Sequence, residues 1–282
     1  GKITNKVSFA QSEDIDLAVF KAREAFNKGY WSNLPPGQSN GCAFEWKAFD
    51  TTSQPSGSSA VNLRDTNHTG RWTNNQSNNP SANQNATIAT VGGVRCCQVY
   101  SGYNPTKWLW FSGSSTYFNG GTGAISNMWW IYNNSSASGD YHWGGQDGTP
   151  TWTNGGGLTN ATAGMNGIRG SQWEFIGHGF DNRMGSSTDT QHRLQTGGWQ
   201  LVIICADNEG CMTYVDGELD GYNNYNGGKN TANTNFLIGR SWSKEDLNGM
   251  AGYIGWVASW KKMLTEADAS EIWHHTRSYF GR

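Results

Sequence analysis

The chain has 282 residues, of which 35% are hydrophobic, 15% are charged and 38 are glycine. Its formal net charge is -2 and no stretch concentrates lysine and arginine, which excludes binding to nucleic acid through a basic surface. No run of about 18 apolar residues occurs, so the sequence predicts no membrane-spanning helix.

Residues 12–28 have the pattern of an amphipathic helix with Ser12 as its N-cap. The residues on its apolar face are Ile15, Val19, Ala22 and Phe26. Glu-Asp-Ile-Asp-Leu-Ala-Val-Phe at 13–20 and Leu-Pro-Pro at 34–36 are similar to a short N-terminal segment of aldehyde dehydrogenases, although no Rossmann-type glycine turn or nucleophilic cysteine follows. We predict that residues 1–40 form an arm that docks on its own domain or on a neighbouring subunit.

From Gly41 onward the pattern is that of β-strands joined by polar turns. The predicted strands in this part are 43–49, 94–100, 107–111, 128–132 and 172–178. Two polar tracts separate them. Residues 65–90 contain almost no aliphatic side chain and are interpreted as a loop that could be disordered. Residues 133–165 contain several aromatic rings and are interpreted as an ordered surface loop.

The last third predicts strands at 199–205, 211–217, 235–239 and 252–260, then a helix from Leu264. Tyr-Val-Asp-Gly at 214–217, Leu-Ile-Gly at 237–239, Gly-Tyr-Ile at 252–254 and the helix at 264–272 occur in this order. The order resembles the C-terminal half of the laminin-G-like, concanavalin A-like jelly roll, over residues 199–280. The resemblance implies a fold that usually binds glycans or proteins, and it does not identify the ligand.

We therefore predict an all-β fold, an antiparallel β-sandwich of jelly-roll, concanavalin A-like type with a short helix at each end. Thr265 is the predicted N-cap of the C-terminal helix. The predicted division is an arm at residues 1–40 and a laminin-G-like domain at residues 41–282. Aromatic residues supply much of the core, because the chain has 15 Trp, 11 Tyr and 11 Phe.

Five cysteines leave at least one thiol free or bonded to another chain. Cys205 and Cys211 flank a short turn between two strands, so they are the candidate disulfide. The alternative is that both are buried thiols that pack as small hydrophobic groups. The sequence does not assign partners to Cys42, Cys96 and Cys97.

Two segments combine flat rings with planar amides and carboxylates, as sugar-binding surfaces do. The candidate glycan-binding or partner-binding residues are Asp140, Tyr141, Trp143, Asp147, Trp152, Asn154, Tyr222, Tyr225 and Trp242. For each ring the alternative is that it closes one end of the sandwich. Asp140 and Asp147 flank glycines and are also candidate ligands for Ca²⁺, the one cofactor that the sequence suggests.

An enzyme of this fold would need paired carboxylates on one strand. Glu45 and Glu174 have no acidic partner two or four residues further on. His178, Arg183 and His192 could form a lyase site, but their spacing is unspecific. We expect no catalytic residues, and a polysaccharide-cleaving hydrolase or lyase is the alternative.

The expected function is that of a non-catalytic structural or adhesion protein, extracellular or on a virion surface. Its expected partners are a glycan or cell-surface polysaccharide, and copies of itself or a neighbouring structural subunit through residues 1–40. No nucleic acid is expected. The arm and the odd cysteine favour assembly into a larger structure.

Overall fold

A computed structural model describes residues 42–73, 84–100, 107–112, 124–134, 141–147, 163–169, 172–177, 180–184, 195–207, 210–223, 235–239 and 251–282. The predicted N-terminal helix at residues 12–28 and the rest of the arm lie outside the described residues.

Sixteen strands, a helix and a 3-10 turn make up the described part. They are β1 (Cys42–Lys47), β2 (Ser59–Asn62), β3 (Asp65–Thr73), β4 (Ile88–Val91), β5 (Val94–Tyr100), β6 (Trp108–Phe111), β7 (Ile125–Asn133), β8 (Tyr141–Asp147), β9 (Ala163–Arg169), β10 (Gln172–Gly177), β11 (Phe180–Met184), β12 (Trp199–Ala206), β13 (Cys211–Val215), β14 (Glu218–Asn223), β15 (Asn235–Ile238), β16 (Gly252–Trp260), α1 (Glu266–Thr276) and the 3-10 turn Arg277–Phe280.

The strands form two antiparallel sheets of a β-sandwich, as predicted. The first sheet has the order β14-β13-β12-β7-β16-β5-β4, and β1 also pairs with β16. The second sheet has the order β11-β10-β9-β8-β15-β6-β3-β2. An inner core with side chains from both sheets includes Trp129, Ile131, Phe111, Phe236 and Trp143.

The first sheet is apolar on both faces. In β7, Trp129 belongs to the inner core and Trp130 to a second cluster, because successive side chains of a strand point to opposite faces. The second cluster includes Ile272 of α1 and Phe280 of the 3-10 turn. All eight residues of β12 are buried for the same reason. We call this second cluster the outer core.

Helix α1 covers the outer face of the first sheet. Thr265 accepts a hydrogen bond from the backbone N–H of Asp268, whose side chain accepts one from the backbone N–H of Thr265. This capping box confirms the predicted start of the helix. Trp130 stacks on Phe280 with 4.2 Å between ring centroids and on Trp273 with 5.4 Å.

Both polar tracts contain strands that the sequence did not predict. Strand β3 falls within the tract at 65–90 and strand β4 begins in it, while β8 falls within the tract at 133–165. The interpretation as loops was wrong because burial on a strand needs only every second residue to be compatible with the core. In β3 those residues are His68, Gly70 and Trp72, while the residues between them are polar and more exposed.

The predicted disulfide between Cys205 and Cys211 is absent, and all five cysteines are free and buried. Ala206 pairs with Cys211, and Cys205 pairs with Met212. Cys205 therefore belongs to the outer core and Cys211 to the inner core, on opposite faces of the sheet. The short turn brought the two backbones together, but the pleat separates the two side chains.

Candidate functional site

The two predicted binding segments begin on different sheets, the first on β8 of the second sheet and the second on β14 of the first. Strand β8 ends at Asp147 and β15 begins at Asn235, and these two residues are register partners. The predicted contacts Asp140, Trp152, Asn154, Tyr225 and Trp242 lie outside the described residues. They stay predictions. For Tyr141 and Asp147 only the backbone positions at the two ends of β8 are described.

Trp143 is not a surface residue, and its prediction as a glycan contact was wrong. Its side chain is 0% exposed and belongs to the inner core. Its ring meets that of Trp173 edge to face at 6.2 Å. Glycine and polar neighbours along the chain suggested exposure, but the side chain lies on the inner face of a strand near the middle of the sheet.

Tyr222 is exposed, as a contact residue must be, with 59% of its surface accessible. It lies on β14, which ends the described path of the first sheet. The structure therefore separates Tyr222 from the β8 candidates, which belong to the second sheet.

A half-buried aromatic ring on the second sheet is a better candidate for a contact site. In β6, Leu109 and Phe111 are 0% exposed and face the inner core. The alternation of the strand places Trp110 on the opposite, outer face, where its side chain is only half-buried. The guanidinium of Arg71 lies over this ring at 4.9 Å from the centroid. We call these two residues the Arg71–Trp110 platform.

Strand register builds the platform. Gly70 pairs with Phe111 and Arg71 pairs with Trp110 in the β3–β6 ladder. A Cβ at Gly70 would lie 2.9 Å from the Phe111 ring, so glycine lets that ring pack against β3. Since the inner positions of both strands fill the core, Arg71 and Trp110 share the outer face.

The outer face beside the platform is apolar. Leu237 of β15 pairs with Trp110 from the other side and is 4% exposed. Trp108 lies two residues from Trp110 on the same face and is also 4% exposed. The platform thus has an indole ring at its centre, a cation on one side and an aliphatic group on the other.

Glu45, one of the two glutamates considered for an enzyme site, has a structural role. Glu45 is 0% exposed and accepts hydrogen bonds from Arg64, one of them at 2.7 Å from Nε. Its other oxygen lies 3.1 Å from Nζ of Lys47. Burial and the Glu45 charge raise the pKa of the Cys42 thiol to about 12, so that thiol stays protonated at neutral pH.

The other lyase candidates are not brought together as a described site. Glu174 of β10 pairs in register with Arg183 of β11, while His178 and His192 lie outside the described residues. Within the described ranges, no group of three or more His, Cys, Asp or Glu is placed to hold a metal ion.

His68 is a buried histidine at the seam between the sheets. Its Nε2 donates a hydrogen bond to the carbonyl oxygen of Ser112 at 2.6 Å, which leaves Nδ1 to accept one from Asn62 at 3.2 Å. Burial lowers the pKa of this imidazole below its ordinary value. The side chain of Asn62 also accepts a hydrogen bond from the backbone N–H of Glu45 at 3.0 Å. This network therefore joins β1 of the first sheet to the second sheet.

Sequence reasoning missed both platform residues. The alternation Trp-Leu-Trp-Phe at 108–111 is a signal, because it separates two indoles from Leu109 and Phe111. No local pattern places Arg71 beside them, since β3 and β6 are separated by a long stretch of chain.

No protein-family model and no curated protein sequence matches the chain. Solved structures share its fold. The binding domain of botulinum neurotoxin DC in complex with rat synaptotagmin II has a TM-score of 0.54 at 13% identity, covering 85% of this chain and 52% of that one. The binding domain of Paraclostridial Mosquitocidal Protein 1 has a TM-score of 0.55 at 9% identity, covering 86% and 55%.

The binding domain of botulinum neurotoxin DC in complex with SialylT has a TM-score of 0.51 at 13% identity, covering 79% of this chain and 52% of that one. The chain thus spans about half the length of these structures. At such identities the likeness establishes the β-sandwich fold alone. In the described part of the chain, no helix has the length and apolar character needed to cross a membrane.

Proposed function

We propose that this chain is a non-catalytic, glycan-binding β-sandwich that acts outside cells or on a virion surface. The observation that carries the proposal is the half-buried Trp110 ring with the Arg71 guanidinium beside it, on the face of the sheet opposite the core. The apolar C–H face of a sugar packs against an indole, and the guanidinium supplies up to five N–H donors to sugar oxygens.

The structural neighbours support a binding role. Three solved structures with TM-scores above 0.5 are binding domains, one in complex with SialylT and one with the protein synaptotagmin II. A location outside the cell or on a virion is proposed because a glycan-binding surface has its ligands there.

The proposal that the chain is not an enzyme is supported by the inaccessibility of Glu45. This carboxylate is fully buried and bound to Arg64 and Lys47, so a substrate could not reach it. An active hydrolase or lyase would release reducing ends or unsaturated sugars from a polysaccharide panel, and that result would contradict the proposal.

A glycan array with the full chain tests the function. We expect binding to at least one glycan, and a loss of about tenfold or more in affinity on Trp110→Leu, which keeps an apolar group but removes the flat ring. Tyr279→Leu is the matched control, because Tyr279 is 54% exposed on the layer that covers the other sheet. Wild-type chain that binds no glycan, or equal binding by Trp110→Leu, would overturn the proposal.

Assembly with copies of the chain is the second candidate. Leu219 and Tyr222 on β14 are 42% and 59% exposed, an unusual exposure of large apolar groups on one strand. Light scattering on the intact chain and on a form without residues 1–40 is the test. A large intact species and a monomeric truncated form support assembly through the arm, a large species in both forms supports assembly through β14, and two monomers contradict assembly.

Calcium dependence through Asp140 and Asp147 also stays a proposal. Its test is glycan binding with EDTA and with added Ca²⁺ in turn. Binding that EDTA abolishes and Ca²⁺ restores would support a calcium site, and binding that neither changes would contradict it.

A further inference from the structure

We propose that the glycan bound at the Arg71–Trp110 platform is acidic, and that Arg71 binds its carboxylate or sulfate oxygens. This inference rests on the proposed glycan-binding function and adds to it the chemical class of the ligand.

The first observation is how the guanidinium of Arg71 differs from those of Arg64, Arg95 and Arg282. Arg64 binds Glu45, and Arg282 binds Asp216 with 3.0 Å between nitrogen and oxygen. Arg95 donates to two backbone carbonyl oxygens, those of Ala48 and Gln54. For Arg71 the described contact is the face of an indole ring, and no ion pair with a carboxylate of the described residues is formed.

The second observation concerns the N–H donors of Arg71, which remain available when the guanidinium contacts a ring face. An indole face attracts the cation through its quadrupole, but it does not accept the in-plane N–H groups as an oxyanion does. The ring of Trp110 therefore positions the guanidinium of Arg71 while its fork of donors remains for a ligand. A planar fork matches two oxygens of one acid group, which a neutral hydroxyl does not provide.

The third observation is the order of groups across the sheet. Register places Arg71 next to Trp110, Trp110 next to Leu237, and Leu237 next to Gly145. Because Leu237 is 4% exposed, the surface of this row that a ligand can reach is the cation and the half-buried indole beside it. An acidic monosaccharide has the same polarity, since its acid group is at one edge and its C–H face extends away from it.

The alternative is that Arg71 only covers the indole ring. In that case the charge of Arg71 would contribute little to the affinity for a ligand, and neutral and acidic glycans would bind equally. The two interpretations predict different results for a change that keeps a polar side chain with N–H donors but removes its charge.

The experiment compares matched glycans on one array, with the full chain as the analyte. Sialylated and sulfated oligosaccharides are printed beside their neutral parents. We expect the wild-type chain to prefer an acidic member over its parent by about tenfold or more, an effect that weakens as salt rises. Whether the sialylated or the sulfated series is preferred identifies the source of the acid group.

Three variants locate the effect. Arg71→Gln is expected to abolish the preference and to keep the weaker binding of the neutral parent, and Arg71→Lys to keep only part of the preference because it lacks the fork. Arg277→Gln is the matched control, since it removes one positive charge from the layer on the first sheet. Circular dichroism confirms that each variant is folded.

The outcomes separate the two proposals. Equal binding of acidic and neutral glycans, or a preference that Arg71→Gln leaves intact, overturns the inference and leaves the glycan-binding function standing. Absence of any glycan binding by the wild-type chain overturns both. A preference lost with Arg71→Gln and retained with Arg277→Gln supports the inference.

Discussion

Trp110, on the outer face of the second sheet, differs in its surroundings from the tryptophans on the outer face of the first sheet. On the first sheet Trp130, Trp256 and Trp260 belong to the outer core beneath the C-terminal helix, each no more than 2% exposed. On the second sheet Trp110 is half-buried and carries a guanidinium on its face. The same alternation along a strand thus gives buried rings where the C-terminal helix covers the first sheet, and at Trp110 it gives a ring that stays partly accessible.

The energetic roles of the two rings differ accordingly. Trp130 stacks on Phe280 and Trp273, and its Nε1 donates a hydrogen bond to the Thr276 hydroxyl at 2.9 Å. Trp110 is only partly removed from water, so less hydrophobic free energy depends on it. Folding should depend on the first ring and ligand affinity on the second.

The largest effect is expected for Trp130→Ala. Removing a fully buried indole leaves a cavity and removes the hydrogen bond that Trp130 donates to the Thr276 hydroxyl, so the free energy of unfolding should fall by about 3–5 kcal/mol. Trp110→Leu should cost less than about 1.5 kcal/mol while it lowers glycan affinity. Urea unfolding of both variants checks this. An equal fall in the free energy of unfolding for the two variants would contradict the difference between the two rings.

The next effect is expected for Gly144→Ala, inside the second sheet. Gly144 has φ +137, and a Cβ there would lie 2.1 Å from the carbonyl oxygen of Leu237. The backbone strain alone is worth about 1–3 kcal/mol, and β8 would also have to move away from β15. Because Leu237 adjoins Trp110, glycan binding should weaken together with stability.

Gly198→Ala is the control for that change. Gly198 has no positive φ, and a Cβ there meets only the tip of Arg282 at 3.9 Å. Its urea midpoint should stay close to that of the wild-type chain. If Gly144→Ala is as well tolerated as Gly198→Ala, β8 does not hold the second sheet as rigidly as its register indicates.

The two faces also differ in how far the sequence predicted them. The first sheet was read from continuous apolar strands such as Gly252–Trp260 and from the cap at Thr265, both of which are confirmed. Such signals are local, because a strand buried on both faces and a capped helix are visible within a few residues.

The second sheet has polar and glycine-rich strands, so β3 and β8 were interpreted as loops and Trp143 as a surface ring. Whether a ring in such a strand faces the core depends on its partners, and those are set by pairings distant in sequence. The position of Arg71 over Trp110 arises from the β3–β6 register and could not be predicted from either strand alone.

A smaller effect, of pH, is expected at the seam that joins the sheets. His68 has a lowered pKa in the folded protein because it is buried, although its hydrogen bond to the Ser112 carbonyl and the charge of Asp65 oppose this in part. Below the ordinary histidine pKa of about 6.5 the unfolded chain binds a proton that the folded chain does not. Stability should therefore be constant above this pH and fall below it, by up to about 1.4 kcal/mol per pH unit.

Urea unfolding at pH 7.5 and 5.5 measures this, with His68→Gln as the comparison. Glutamine can still donate and accept a hydrogen bond but does not titrate, so its stability should fall less between the two pH values. An identical fall for wild type and His68→Gln would assign the pH dependence to other groups and would show that the seam does not respond to protonation.

A reducing agent is expected to leave the stability of the chain unchanged, which is the smallest of these effects. Cys42, Cys96 and Cys205 lie in the outer core and Cys97 and Cys211 in the inner core, and all are free. Burial raises the pKa of the Cys205 thiol to about 12, which together with exclusion of solvent keeps it unreactive at pH 8. The native chain should show almost no thiols to Ellman's reagent and the denatured chain all five, with a melting temperature that dithiothreitol leaves unchanged.

Because Cys205 and Cys211 are on opposite faces, a count of three thiols and a melting temperature lowered by dithiothreitol would mean that the pleat of β12 and β13 is misassigned. The outer core would then not be the sealed layer that distinguishes the first sheet from the second.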